Sequence, residues 1–73
     1  MSAEILRLKE SSSIAAAAYD RDRHILRLHY RPRGTYDYLD VPTGVVREFV
    51  NAASLGRFVN GRIKPRYRYR RVG

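Results

Sequence analysis

The stretch HILRLHYRPRGTYDYLDV, residues 24–41, decides the fold. Leu26, Leu28 and Tyr30 alternate with Arg27, His29 and Arg31. That period of two places the apolar set on one side of a half-buried strand. Pro32 and Gly34 then interrupt the pattern with turn chemistry. Past them the alternation resumes, with Tyr36 and Tyr38 opposite Asp37 and Leu39. Two alternating runs about a short Pro/Gly turn predict an antiparallel hairpin. In a simple register Tyr36 and Tyr38 share a face with Leu26, Leu28 and Tyr30. The packing reading of these two rings is therefore favoured, over an exposed platform for stacking bases.

The period changes after the hairpin. Val45, Val46, Phe49, Val50 and Ala53 fall at helical spacing, with Arg47, Glu48 and Asn51 on the far side. Pro42 suits a first turn, and Asp40 stands close enough to cap it or oppose its dipole. The spacing predicts a helix over 42–53, closed by Ser54, Leu55 and a left-handed Gly56. RFVNGRIK, 57–64, reads as a tight turn or a short second helix that returns Phe58 and Ile63 to the core. Pro65 then opens RYRYRRV, which alternates and suits a short edge strand. Upstream, SSSIAAAAYD, 11–20, stays open between helix and strand: four alanines favour the first, and the flanking residues allow the second. Residues 1–10 read as an N-terminal arm and 11–73 as a single domain.

The expected architecture is α+β: a three-stranded antiparallel meander packed on one main helix, with a short helical turn and a basic C-terminal strand or tail. Seventy-three residues bury only about 60% of the surface of the unfolded chain, so the core is thin. There is no cysteine, and therefore no disulfide or thiolate metal site. No apolar run reaches the roughly 18 residues of a membrane span, and residues 1–10 hold acidic residues and no apolar run long enough for a signal-peptide core. The expected setting is the cytoplasm, without membrane contact, and a monomer is favoured over a dimer.

The charge is unevenly placed. Residues 1–56 hold eight basic and seven acidic residues, whereas 57–73 hold seven basic and none acidic. That field attracts polyanions. The candidate binding residues are Arg57, Arg62, Lys64, Arg66, Arg68, Arg70 and Arg71, with Tyr67, Tyr69, Tyr36 and Tyr38 as candidate stacking rings. If 66–71 is extended, Arg66, Arg68 and Arg70 form one row and the two tyrosines face away from it. Catalysis is not expected. His24 and His29 have no nucleophile or orienter arranged with them, and Asp37 and Asp40 are three apart, on opposite faces of a strand. No metal-ligand spacing or glycine-rich phosphate loop occurs, so no cofactor is expected.

The order SSSI, YD, LRLHY, GTYDY, DVP, AASLGRF, NGRIK and a tyrosine at 67 resembles the KTSC domain, a module of about sixty residues named after the C-terminal part of some lysyl-tRNA synthetases. The signature is carried here by Tyr36, Tyr38, Val41, Pro42, Ala52, Ser54 and Gly56. Two positions depart from it: Val59, where a larger residue is usual, and the alanines at 15–18, where a larger apolar residue with glycine is frequent. The resemblance implies no established activity and suggests RNA binding by analogy with the synthetase context. Together with the charge pattern it makes nucleic acid, RNA first, the expected partner through backbone contacts. The alternative is a protein-interaction module that meets an acidic partner surface.

Overall fold

In a computed structural model, which describes residues 3–32 and 34–73, a single antiparallel sheet packs one face against a helical layer. Among the described residues there are five strands in sequential order: β1 Ala3–Ile5, β2 Ile14–Asp20, β3 Ile25–Tyr30, β4 Gly34–Tyr38 and β5 Tyr69–Arg71. The three strands expected from sequence are thus extended on both edges. β3 and β4 form the predicted hairpin, in which Leu26 opposes Tyr38, Leu28 opposes Tyr36 and Tyr30 opposes Gly34. Gly34 has φ +111°, and a Cβ there would collide with the carbonyl oxygen of Gly73.

The open question at 11–20 resolves as strand. Helix propensity of the alanines yields to pairing on both sides, with Glu4 opposite Tyr19 and Ala17 opposite Leu28. A bulge between Ile14 and Ala16 shifts the register, so that both Ile14 and Ala17 reach the core. Ile5 opposes Ala18 in β1, ahead of the segment read as the domain.

The main helix, α1, spans Thr43–Val50, shorter than the predicted 42–53. Pro42 is its N-cap, and the Pro42 carbonyl accepts from the amides of Val45 and Val46. Asp40 does not cap it: no side chain does, and Asp40 sits at φ 57°, in the left-handed turn that leads in. Gly56 does not close it either. Ser54 instead caps a second helix, accepting from the Arg57 amide, and Gly56 lies inside that helix. This α2, Leu55–Phe58, runs on without a break into wider turns over Val59–Ile63, where the Lys64 amide reaches back five residues to Val59. Glycine is required at 56 by a close approach, because a Cβ would stand 2.7 Å from the Ser13 hydroxyl oxygen.

The core lies between the sheet and these two helices. Tyr19, Leu26, Leu28 and Tyr38 meet Val46, Phe49, Leu55, Val59 and Ile63. The Phe49 and Phe58 rings meet tilted, at 6.0 Å between centres. The Tyr19 hydroxyl donates to the Val41 carbonyl, and the Val41 amide donates to the His24 carbonyl, pinning the crossing from sheet to helix. Among the described residues the opposite face of the sheet carries no helix.

Candidate nucleic-acid interface

The tyrosines that alternate on the core side do not all end up covered. Tyr38 is buried, Tyr30 and Tyr36 are half-buried, and Tyr69 is 60% exposed. The reason is register: β5 places Tyr69 opposite Tyr38 and Arg71 opposite Tyr36, one strand beyond the reach of the helices. The rings form a connected cluster. Tyr36 meets Tyr30 edge-on at 5.6 Å and Tyr69 at 5.7 Å, while Tyr38 and Tyr69 lie tilted at 5.8 Å. The Tyr30 and Tyr38 hydroxyls share a 2.7 Å hydrogen bond. Burial pushes the Tyr38 phenol above the ordinary tyrosine value. Tyr38 thus belongs to the core and Tyr36 packs against it, as the packing reading expected, while the cluster they join is open at its β5 end.

This cluster lines a cleft of about 310 Å³ with Lys64. The Lys64 ammonium lies 5.3 Å over the Tyr30 ring, and the Arg71 guanidinium lies 5.9 Å over Tyr36. A second cleft of about 310 Å³ adjoins it, sharing Tyr30 and Lys64 and adding Ser13, Arg31 and Asn60. Ser13, Arg31 and Asn60 do not stand out in the sequence, since no local pattern brings 13, 31 and 60 together.

The basic segment is arranged differently from the row expected. Arg66 and Tyr67 continue the helical turn, both amides donating to the Ile63 carbonyl, and the strand begins only at Tyr69. Pro65 does not start the strand, because the turn closes around it. Arg66, Arg68 and Arg70 therefore do not share a face. Tyr67 packs half-buried against the core. Arg62 pairs with Glu48 at 3.0 Å and stacks on Phe58. Arg57, Lys64, Arg66 and Arg68 are exposed and have no carboxylate partner among the described residues.

Arg70 falls on the helix-free face. There one cross-sheet row runs Ile5, Ala18, Arg27, Asp37 and Arg70. Asp37 is only 2% exposed although its strand face is open, because two guanidinium groups lie over it. Arg27 holds it with paired bonds of 2.7 and 3.0 Å, and Arg70 stands at 3.9 Å. The hydrogen bonds that Arg27 donates to Asp37, with the carboxylate's charge, raise the Arg27 pKa above its ordinary value. His29 is exposed and shares a 2.8 Å hydrogen bond with Thr35. Among the described residues no group of His, Asp or Glu could hold a metal ion, and no helix is long and apolar enough to cross a membrane.

Fold and site together define a small α+β module with an aromatic, cation-rimmed corner. The family model of the KTSC domain matches residues 10–67, most of the chain, and the chain belongs to that family. It is 49% identical over 59 residues to a protein of Tsukamurella paurometabola, covering 81% of this chain and 88% of the relative. It is 39% identical over 64 residues to an uncharacterized protein of Stutzerimonas stutzeri, covering 86% and 90%. The fold matches the crystal structure of a KTSC domain protein from Yersinia pestis with a TM-score of 0.90 and 36% identity, over 99% of this chain and 100% of that one.

Proposed function

We propose that this domain is a non-catalytic cytoplasmic module that binds single-stranded nucleic acid, RNA first, through backbone contacts from its C-terminal basic segment. One observation carries the reading: among the described residues Arg57, Lys64, Arg66 and Arg68 are exposed without carboxylate partners, and Lys64 stands at the rim of an open tyrosine cluster. Four other cations of the domain do meet carboxylates. Arg21 pairs with Glu4, Arg27 and Arg70 with Asp37, and Arg62 with Glu48. Cations left without acids, on a chain of net charge +8, suit a polyanionic partner.

The test is an anisotropy titration with single-stranded RNA across a salt series. Four or five phosphate contacts give a slope of log K against log salt of about −3, at roughly 0.7 per phosphate. Changing Arg57, Arg66 and Arg68 together to Gln should flatten the slope by about 2 and weaken all sequences alike. Arg70 is left out because Asp37 already engages it. An unchanged slope in the triple variant, or no binding at low salt, defeats the proposal. In the second case an acidic protein partner becomes the reading to pursue.

A further inference from the structure

We infer that the corner between β3, β4, β5 and the turns that follow α2 takes one unstacked nucleotide, with the base against the tyrosines and its phosphate in the adjoining polar cleft. The inference rests on the backbone-binding reading above and adds base recognition to it. Backbone contacts alone need cations on a surface. They do not need aromatic rings left half-covered beside those cations.

Three observations meet at this corner. The first is chemical contrast between neighbouring clefts. One is walled by Tyr30, Tyr36, Tyr38 and Tyr69. The other is lined by the polar residues Ser13, Asn60 and Arg31. Lys64 and Tyr30 belong to both. A nucleotide has the same two parts in the same proximity: a flat π-face and an anion that accepts hydrogen bonds.

The second is size. At about 310 Å³ each cleft sits at the lower end of small-molecule sites, which start near about 300 Å³. The corner therefore matches the size of one nucleotide unit. A paired base keeps both faces inside its helix and offers no ring to Tyr69.

The third is the state of the rings. Tyr69 is 60% exposed, and its neighbours Tyr36 and Tyr38 hold it from below at 5.7 and 5.8 Å. A supported, accessible ring is a low-entropy stacking surface, because its position is set before the ligand arrives. Lys64 and Arg71 already lie against Tyr30 and Tyr36, so positive charge is in place beside the stacked ring without a folding step.

The experiment compares a single-stranded RNA with an abasic strand of the same length and phosphate count, at one salt concentration, against the full chain. Stacking of even one base predicts about tenfold tighter binding of the base-bearing strand. Tyr69→Ala, checked for an unchanged melting curve, should remove that difference and leave abasic binding as it was. Chemical-shift mapping with a nucleoside 5′-monophosphate should move Tyr69, Lys64 and Asn60, whereas the unphosphorylated nucleoside should move Tyr69 and spare Asn60. Equal binding of the two strands overturns the nucleotide site while leaving backbone binding intact. Binding of neither strand removes both readings. Shifts centred on Arg27 and Arg70 would place the ligand on the other face of the sheet and also overturn this site.

Discussion

Asp37 gives the sharpest test of how this small domain is held together. Its carboxylate is 2% exposed, on the face of the sheet that no helix covers. Arg27, whose side chain is 49% exposed, closes over it with bonds of 2.7 and 3.0 Å. A hydrogen bond involving a charged group contributes about 1.5–3 kcal/mol net, whereas an exposed ion pair contributes about 1 or less. This pair has one buried and one half-exposed member, and two bonds within one pair do not count twice. The expected coupling energy is therefore about 1–2 kcal/mol. It is read from a double-mutant cycle of Asp37→Ala and Arg27→Ala by urea unfolding at neutral pH. Arg70→Ala should cost less than half of what Arg27→Ala does, because Arg70 is 3.9 Å away and 62% exposed. Asp37→Asn should fall between wild type and Asp37→Ala, since the amide oxygen still accepts from Arg27 without the charge. A coupling below about 0.3 kcal/mol, within the usual error of additivity, would refute the reasoning and make the pair an ordinary surface contact.

Phe49→Ala should destabilise by about 3–5 kcal/mol, since Phe49 is fully buried at the centre of the α1 face. The whole domain is expected to have about 4–11 kcal/mol, so the variant should be near unfolding by circular dichroism. Gly56→Ala should fail to stabilise in wild type, where the new Cβ meets the Ser13 oxygen at 2.7 Å. In a Ser13→Ala background the same change should stabilise by about 0.5–1 kcal/mol, the helix preference of alanine over glycine, measured by thermal melting. Tyr38 carries a pH dependence. Its phenol titrates higher in the folded than in the unfolded chain because burial disfavours the anion. Its contribution is thus complete below the ordinary value of about 10 and is lost as pH rises through the raised one. Tyr38→Phe should flatten the fall in urea midpoint as pH rises above about 10, and an unaltered slope would count against it.

The hairpin, the main helix and the sign of the C-terminal field were legible in the sequence because each is local. Leu26, Leu28 and Tyr30 alternate over five residues, Val46 and Phe49 repeat at helical spacing, and no acid interrupts 57–73. What lay beyond reach depended on contacts distant in the chain. The alanines of β2 became strand because β1 and β3 flank them, which no propensity of 15–18 could specify. Gly56 reads as a cap by composition, yet it is a point of contact with Ser13, 43 positions earlier. Arg66 and Arg70 left the expected row because the α2 turns persist past Pro65, a consequence of Ile63 and Tyr67 packing on the core. Composition alone placed tyrosines and cations in the same domain. Only the pairing of β5 with β4 set Tyr69 beside Tyr36, and only the path of α2 brought Lys64 over Tyr30. Side chains that converge from 30, 36, 64 and 69 have no common period, so their meeting is decided by the burial and strand pairing of the whole chain rather than by any segment of it.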